Sequence, residues 1–280
     1  IAMASSLDQI GPLTKTVEDA EIVFEVIRGK DPKDATTVEP PLKIGGGERV
    51  VTIGVPKECF SLADKGKEGL EPEISKKIAE ATDVLAAKGF EIREVSLPHI
   101  EYALAAYYIV MPAEVSANLS RFDGMRYGVR EAGKNLLEVY ERSRGKGFGP
   151  EPRRRIVLGS YVLSAGYYDA YYARAQKVRH LIRQDFRSAF QNADVLLMPT
   201  TPHLPWRLGE KIADPLSMYL EDIYTVPINL AGVPALSLPA GFAEKDGAKL
   251  PVGVQLVAPH FGESSLFEAG KVLEKSLEEQ

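Results

Sequence analysis

The chain has 280 residues, 45% hydrophobic and 26% charged, with a net charge of −5 from 34 basic and 39 acidic side chains. That is ordinary globular usage in a chain long enough to bury a sizeable core, which excludes wholesale disorder. Charges of both signs are interspersed with no long basic stripe, which excludes a direct grip on a nucleic-acid backbone, and the lone Cys59 excludes an internal disulfide framework or a cysteine-based zinc site.

In chain order, Thr16-Val17-Glu18-Asp19 supplies a cap and early acids, and apolar positions 20, 23, 24 and 27 predict a helix that Gly29 ends. Residues 30–49 combine prolines, a glycine triplet and mixed charge, and are expected to form an exposed, linker-like loop. Val50–Val55 is a short β-branched run, followed by a helix over about 72–89 with Gly89 at its end and a second strand over about 90–97. A helix joining two strands favours parallel pairing in a helix-covered sheet, so the fold class is α/β. Helices are expected over about 101–120, 134–144, 152–192, 215–225 and 263–279, with strands at Val195–Met198, Ala235–Leu238 and Val252–Val257. The stretch 152–192 contains Gly159 and Gly166, and a break near Gly166 makes it two helices. Its tyrosines 161, 167, 168, 171 and 172 are either a binding platform or helix packing with phenols reaching water.

No run approaches the roughly 20 apolar residues of a membrane span, and the first residues lack a signal peptide's basic start and apolar stretch, so the cytoplasm is the expected compartment. The histidines at 99, 180, 203 and 260 have no ligand-like spacing, and no metal site is expected. No nucleophile elbow, His-Glu-x-x-His or Ser-x-x-Lys occurs, and Gly45-Gly46-Gly47 precedes a strand where a phosphate loop would follow one. Cys59 just after a strand is either a nucleophile or an ordinary thiol. Arg153, Arg154 and Arg155 open a helix, where three charges are solvated, paired or set against an anion.

Read in order, the opening stretch with SSLDQIGPLTKT, MPTTP at 198–202, DPLSMYLEDIYTVPINLAGVPALSLPAGF at 214–242 and LPVGVQLVAP at 250–259 resemble the amidase signature family, over essentially residues 4–278. SLPHIEYALAAYYIVMPAEVSANLSRFDGMRYG at 96–128 and GFGPEPRRRIVLGSYVLSAGYYDAYYARAQKVR at 147–179 narrow the resemblance to its glutamine-hydrolysing branch. The resemblance implies a mixed β-sheet covered by helices on both sides, of which residues 1–280 are the C-terminal portion of a single amidase domain. It also implies an ammonia-supplying role in a tRNA-dependent amidotransferase that converts Glu-tRNA(Gln) and Asp-tRNA(Asn) to their amides. Its partners are then glutamine, the B and C subunits, and charged tRNA reached through the complex; ATP and magnesium are used by the B subunit, and this segment binds no cofactor.

In the family a Ser–cis-Ser–Lys arrangement lies upstream of the segment matched by SSLDQIGPLTKT. No catalytic residue is therefore expected within these residues, and the 280-residue chain alone is expected to be inactive; Ser5 and Ser6 are expected to shape a loop. Free glutamine presents an α-carboxylate, an α-ammonium and an amide, so its pocket wants an arginine fork, a carboxylate and a hydroxyl or amide partner. The resemblance puts substrate binding on Tyr107, with Tyr108 as its rival, on Arg155 and on Asp222. Arg155 borders Ile156-Val157-Leu158, where a charge is expected to turn inward, and of the neighbours Glu221 and Asp222 only one is expected inside. The remaining alternatives are a small-molecule amidase of the same family and a non-catalytic interaction fragment.

Overall fold

The computed structural model describes residues 2–39, 51–61, 69–210 and 215–278. The chain forms two compact units, one of Ile1–Asp8 with Ala105–Arg179 and one of Gln9–Leu104 with His180–Gln280.

The second unit is a five-stranded mixed sheet. Helix α1 (Val17–Ile27) starts where Thr16 accepts a hydrogen bond from the Asp19 N–H at 3.1 Å, the cap its sequence predicts. Strand β1 (Thr52–Pro56), the short helix α2 (Glu58–Ser61), helix α3 (Pro72–Ala87) and strand β2 (Glu91–Val95) follow. β1 and β2 pair in parallel, with Thr52 opposite Glu91, as a crossover through α3 requires. The later strands are β3 (Val195–Pro199), β4 (Ala235–Lys245) and β5 (Ala248–Val257), in spatial order β2-β1-β3-β5-β4. β3 is parallel to β1 and antiparallel to β5, and all five of its residues are buried, because a central strand of a covered sheet meets no water on either face.

Helix α10 (Glu263–Glu278) packs on β4 through Gly270, where an added Cβ would meet Leu236 Cδ2 at 2.6 Å. On the opposite side of the pleat, Gln255 donates to the Pro199 and Tyr224 carbonyls, both at 2.8 Å. The strands β4 and β5 are longer than their apolar runs suggested. Asp246 (φ 52°) and Gly247 (φ 76°) form a tight turn that lets the pairing continue out to Lys245 and Ala248. The expected helix over 215–225 is shorter. Helix α8 spans Pro215–Leu220, residues 221–225 form turns, and helix α9 (Val226–Ala231) follows, closed by left-handed Gly232.

The first unit is helical, with α4 (Ala103–Leu119), α5 (Leu136–Gly147) and α6 (Pro150–Val162), a π-helical segment at Tyr168–Ala173, and the start of α7 (Arg174–Ala189). The break in 152–192 falls where the glycine placed it: Gly166 has φ 87°, a conformation that costs other residues free energy. Of the 30–49 stretch, residues 30–39 are exposed apart from half-buried Thr37, whereas 40–49 lie outside the described residues.

Candidate functional site

Asp222 belongs to the sheet unit, on the turn between α8 and α9. Its carbonyl accepts from the N–H groups of Thr225 and Val226, both at 3.0 Å, so the turn hands directly into α9. Two residues on, the Tyr224 phenol is 1% exposed and donates to the Cys59 carbonyl at 2.7 Å. Burial pushes this phenol well above the ordinary tyrosine range, so it stays a hydrogen-bond donor. Gln255 holds the Tyr224 carbonyl from the strand below. The helix expected to aim Asp222 is thus replaced by a turn that side chains pin to the sheet.

Glu221, and not Asp222, is the buried acid. Glu221 is 6% exposed with its Oε1 2.8 Å from His203 Nδ1, while Asp222 is half-buried. The polar partner that a buried carboxylate demands is here an imidazole from the loop after β3. Sequence reading missed His203, since the pair joins positions 18 apart.

Tyr107 and Arg155 belong to the helical unit, on α4 and α6. These helices cross at Gly159, where a Cβ would lie 1.9 Å from the Pro112 carbonyl oxygen, and Ser116 and Ser160 share a 3.0 Å hydrogen bond beside it. Arg155 lies one turn before the crossing. Of the apolar run beside it, Val157 is 70% and Leu158 41% exposed, and only Ile156 is half-buried. Its side chain is nonetheless only 25% exposed, held by a 3.0 Å contact from Nε to Glu151 Oε1 one turn earlier. No other hydrogen bond or ion pair of the Arg155 guanidinium occurs among the described residues, so its two terminal amino groups are available to a carboxylate. Tyr107 and Tyr108 are both half-buried and meet edge to face, with ring centroids 5.3 Å apart. Glu151 was not singled out in the sequence, although an acid four residues before an arginine on a helix is a legible pair.

The same unit decides the roles of Ser5 and Ser6. Glu114 accepts from the Ser6 N–H at 2.9 Å and from the Ser6 hydroxyl. Arg179, 4% exposed, donates to the Ser6 hydroxyl and the Ser6 carbonyl, each at 2.6 Å. Asn118 donates to Ser5 Oγ at 2.8 Å, and Asp8 accepts from the Met3 and Ala4 N–H groups. Both hydroxyls thus take part in hydrogen bonds that fasten the loop they lie on. Glu114 is the one charge in the apolar stretch of α4, a signal that could have marked it.

Cys59 is fully buried, and burial pushes its thiol well up, the opposite of a nucleophile. The tyrosine cluster lies at the surface. Tyr161 and Tyr167 ring centroids are 4.4 Å apart, Tyr167 and Tyr171 stack at 6.0 Å, and the hydrogen bond with Tyr167 pushes the Tyr161 phenol up to about 12. Among the described residues no group of three His, Cys, Asp or Glu side chains is arranged to hold a metal ion, and no helix is long and apolar enough to cross a membrane.

A family model described as Amidase matches residues 1–267. The A subunit of glutamyl-tRNA(Gln) amidotransferase from Roseiflexus sp. (strain RS-1) is 50% identical over 280 residues, 98% of this chain and 55% of that relative. The protein of the same name from Pseudomonas fluorescens (strain Pf0-1) is 52% identical over 272 residues, 95% of this chain and 54% of its own length. Among solved structures, the A subunit of glutamyl-tRNA(Gln) amidotransferase from Thermotoga maritima matches with a TM-score of 0.72 at 39% identity, over 98% of this chain and 54% of that one. A crystal structure described as an amidase matches with a TM-score of 0.70 at 25% identity, over 98% and 54%. The chain spans about half the length of the curated relatives it matches.

Proposed function

The chain belongs to the amidase family, and we propose that it is part of the glutamine-hydrolysing A subunit of a tRNA-dependent amidotransferase, carrying the residues that hold glutamine. Identities of 50% and 52% to proteins of that name support this reading over a general small-molecule amidase. In it, ammonia released from glutamine passes to the B subunit, where ATP and magnesium activate the acyl group of Glu-tRNA(Gln) or Asp-tRNA(Asn); the C subunit completes the complex, which works in the cytoplasm.

The observation that carries the proposal is the state of Arg155. Glu151 holds its Nε and the terminal amino groups make no other hydrogen bond or ion pair among the described residues, which is how a guanidinium stands ready to take a carboxylate with both arms. Arg155 takes the α-carboxylate of glutamine, Asp222 takes its α-ammonium, and Tyr107 supplies the hydroxyl partner. Asp222 suits the ammonium because it is half-buried on a turn pinned to the sheet, so little ordering remains to be done on binding. These groups bind and orient; the bond-breaking Ser–Ser–Lys set has no counterpart we assign among the 280 residues, and Ser5 and Ser6 serve the loop.

Titration calorimetry of glutamine against the 280-residue protein tests the binding role. Arg155→Lys and Asp222→Asn should each weaken binding about tenfold or more, the loss of one charge-assisted contact. Unchanged affinity in both variants overturns the assignment. We further propose that this protein alone releases no ammonia from glutamine, and release that disappears in Ser5→Ala or Ser6→Ala would contradict it.

A further inference from the structure

We infer that His203 is a positioning residue for ammonium recognition: through Glu221 it fixes the turn that presents Asp222. The inference rests on the glutamine-binding reading above and adds to it a residue that neither the motifs nor the family resemblance singled out.

The geometry runs through one continuous set of contacts in the sheet unit. His203 leaves the end of β3 on a short loop, where its carbonyl accepts from Thr201 Oγ1 at 3.1 Å. The next N–H, that of Leu204, donates to Glu71 Oε2 at 2.8 Å, and Lys245 on β4 holds the other oxygen of Glu71 at 2.5 Å. The backbone that carries the imidazole is thus fastened to the start of α3 and to the outer hairpin. Its Nδ1 then meets Glu221 Oε1 at 2.8 Å, with side-chain exposures of only 16% and 7%. A contact so shielded from water is geometrically demanding, and removing either member leaves a buried polar group without that partner. Glu221 is the residue immediately before Asp222, and the other end of the turn is fixed by Tyr224 and Gln255. With both ends held, the turn that carries Asp222 is restrained before a ligand arrives. Without His203 the leading end loses its hold on the Glu221 carboxylate and keeps the backbone bonds of Glu221 and Asp222 to the Met218 and Tyr219 carbonyls, so binding must supply more of the ordering.

Loss of this contact should therefore fall on ligands that carry an α-ammonium. Calorimetry on the 280-residue protein can compare glutamine with glutaramate, which has the same carboxylate and amide but no α-amino group. His203→Ala should weaken glutamine binding about tenfold and leave glutaramate within about twofold. His203→Asn, whose Nδ2 can stand where the imidazole Nδ1 stood, should return glutamine to within about threefold of the unaltered protein. Asp222→Asn is the control for the underlying reading. If Asp222→Asn loses glutamine while His203→Ala keeps it, the positioning role is wrong and the binding role stands. If His203→Ala weakens both ligands alike, the residue is merely structural and the inference fails. If His203→Ala does not fold, His203→Asn decides through the same pair of ligands: a preserved preference for glutamine supports the role and a lost one overturns it. If the unaltered protein does not bind glutamine, or Asp222→Asn binds it unchanged, both readings fall together.

Discussion

At the scale of single residues, environment decides what each reactive group is. Cys59 looks available in the sequence, beside Lys57 and Glu58 after a strand, yet it is fully buried and its thiol is pushed up by desolvation. It should resist thiol reagents in the native protein and react stoichiometrically in denaturant; rapid native labelling would contradict the packing around it. The hydrogen bond with Tyr167 pushes the Tyr161 phenol up to about 12. Absorbance titration should show that late ionisation vanish in Tyr161→Phe. Arg155 and Asp222 were singled out through their flanking motifs. Of the run after Arg155, Val157 and Leu158 face water, and of the two neighbouring acids the buried one is Glu221. A partner such as His203, 18 positions before Glu221, leaves no periodic trace in the chain.

At the scale of elements, local patterns were read well wherever capping and punctuation alone set the outcome. The Thr16 cap, the β1-α3-β2 crossover and the break at Gly166 all follow from propensities acting over a few residues. The hairpin between β4 and β5 was underread although Asp246-Gly247 is a strong turn signal, because its outer residues alternate weakly and burial there is slight. The α4–α6 crossing was invisible, since a glycine inside a helix reads as a weak point until the opposing backbone is known. Gly159→Ala places a methyl 1.9 Å from the Pro112 oxygen and should cost about 1–3 kcal/mol of stability, measured by denaturant unfolding. A neutral result would mean the helices separate freely.

Glu71 links the loop of His203 to the hairpin and carries a pH signature. Burial raises its carboxyl pKa, but the bond from Lys245 and the Leu204 N–H outweigh that and hold it below the ordinary 4.5. A carboxyl lowered on folding contributes stability that is present above its unfolded value and lost as pH falls through the folded one. Lys245 is 45% exposed, so solvent screening limits the contribution to about 1 kcal/mol or less. Glu71→Gln should therefore unfold more easily than the unaltered protein at pH 7, with the gap closing below about pH 4. A gap that is constant with pH would assign the effect to packing.

For the whole molecule, the mixed sheet and the membership of the amidase family were legible from a few long motifs, because residues that build a shared core and site recur as contiguous stretches. The chain spans about half the length of the relatives it matches, and the role proposed for it is to hold the amino-acid end of glutamine. Glutamine soaked into crystals of the protein tests that role most directly. The account predicts density for the α-carboxylate within hydrogen-bonding distance of the Arg155 amino groups and for the α-ammonium at the Asp222 carboxylate. Glutamine bound elsewhere, with neither side chain touching it, would contradict the account.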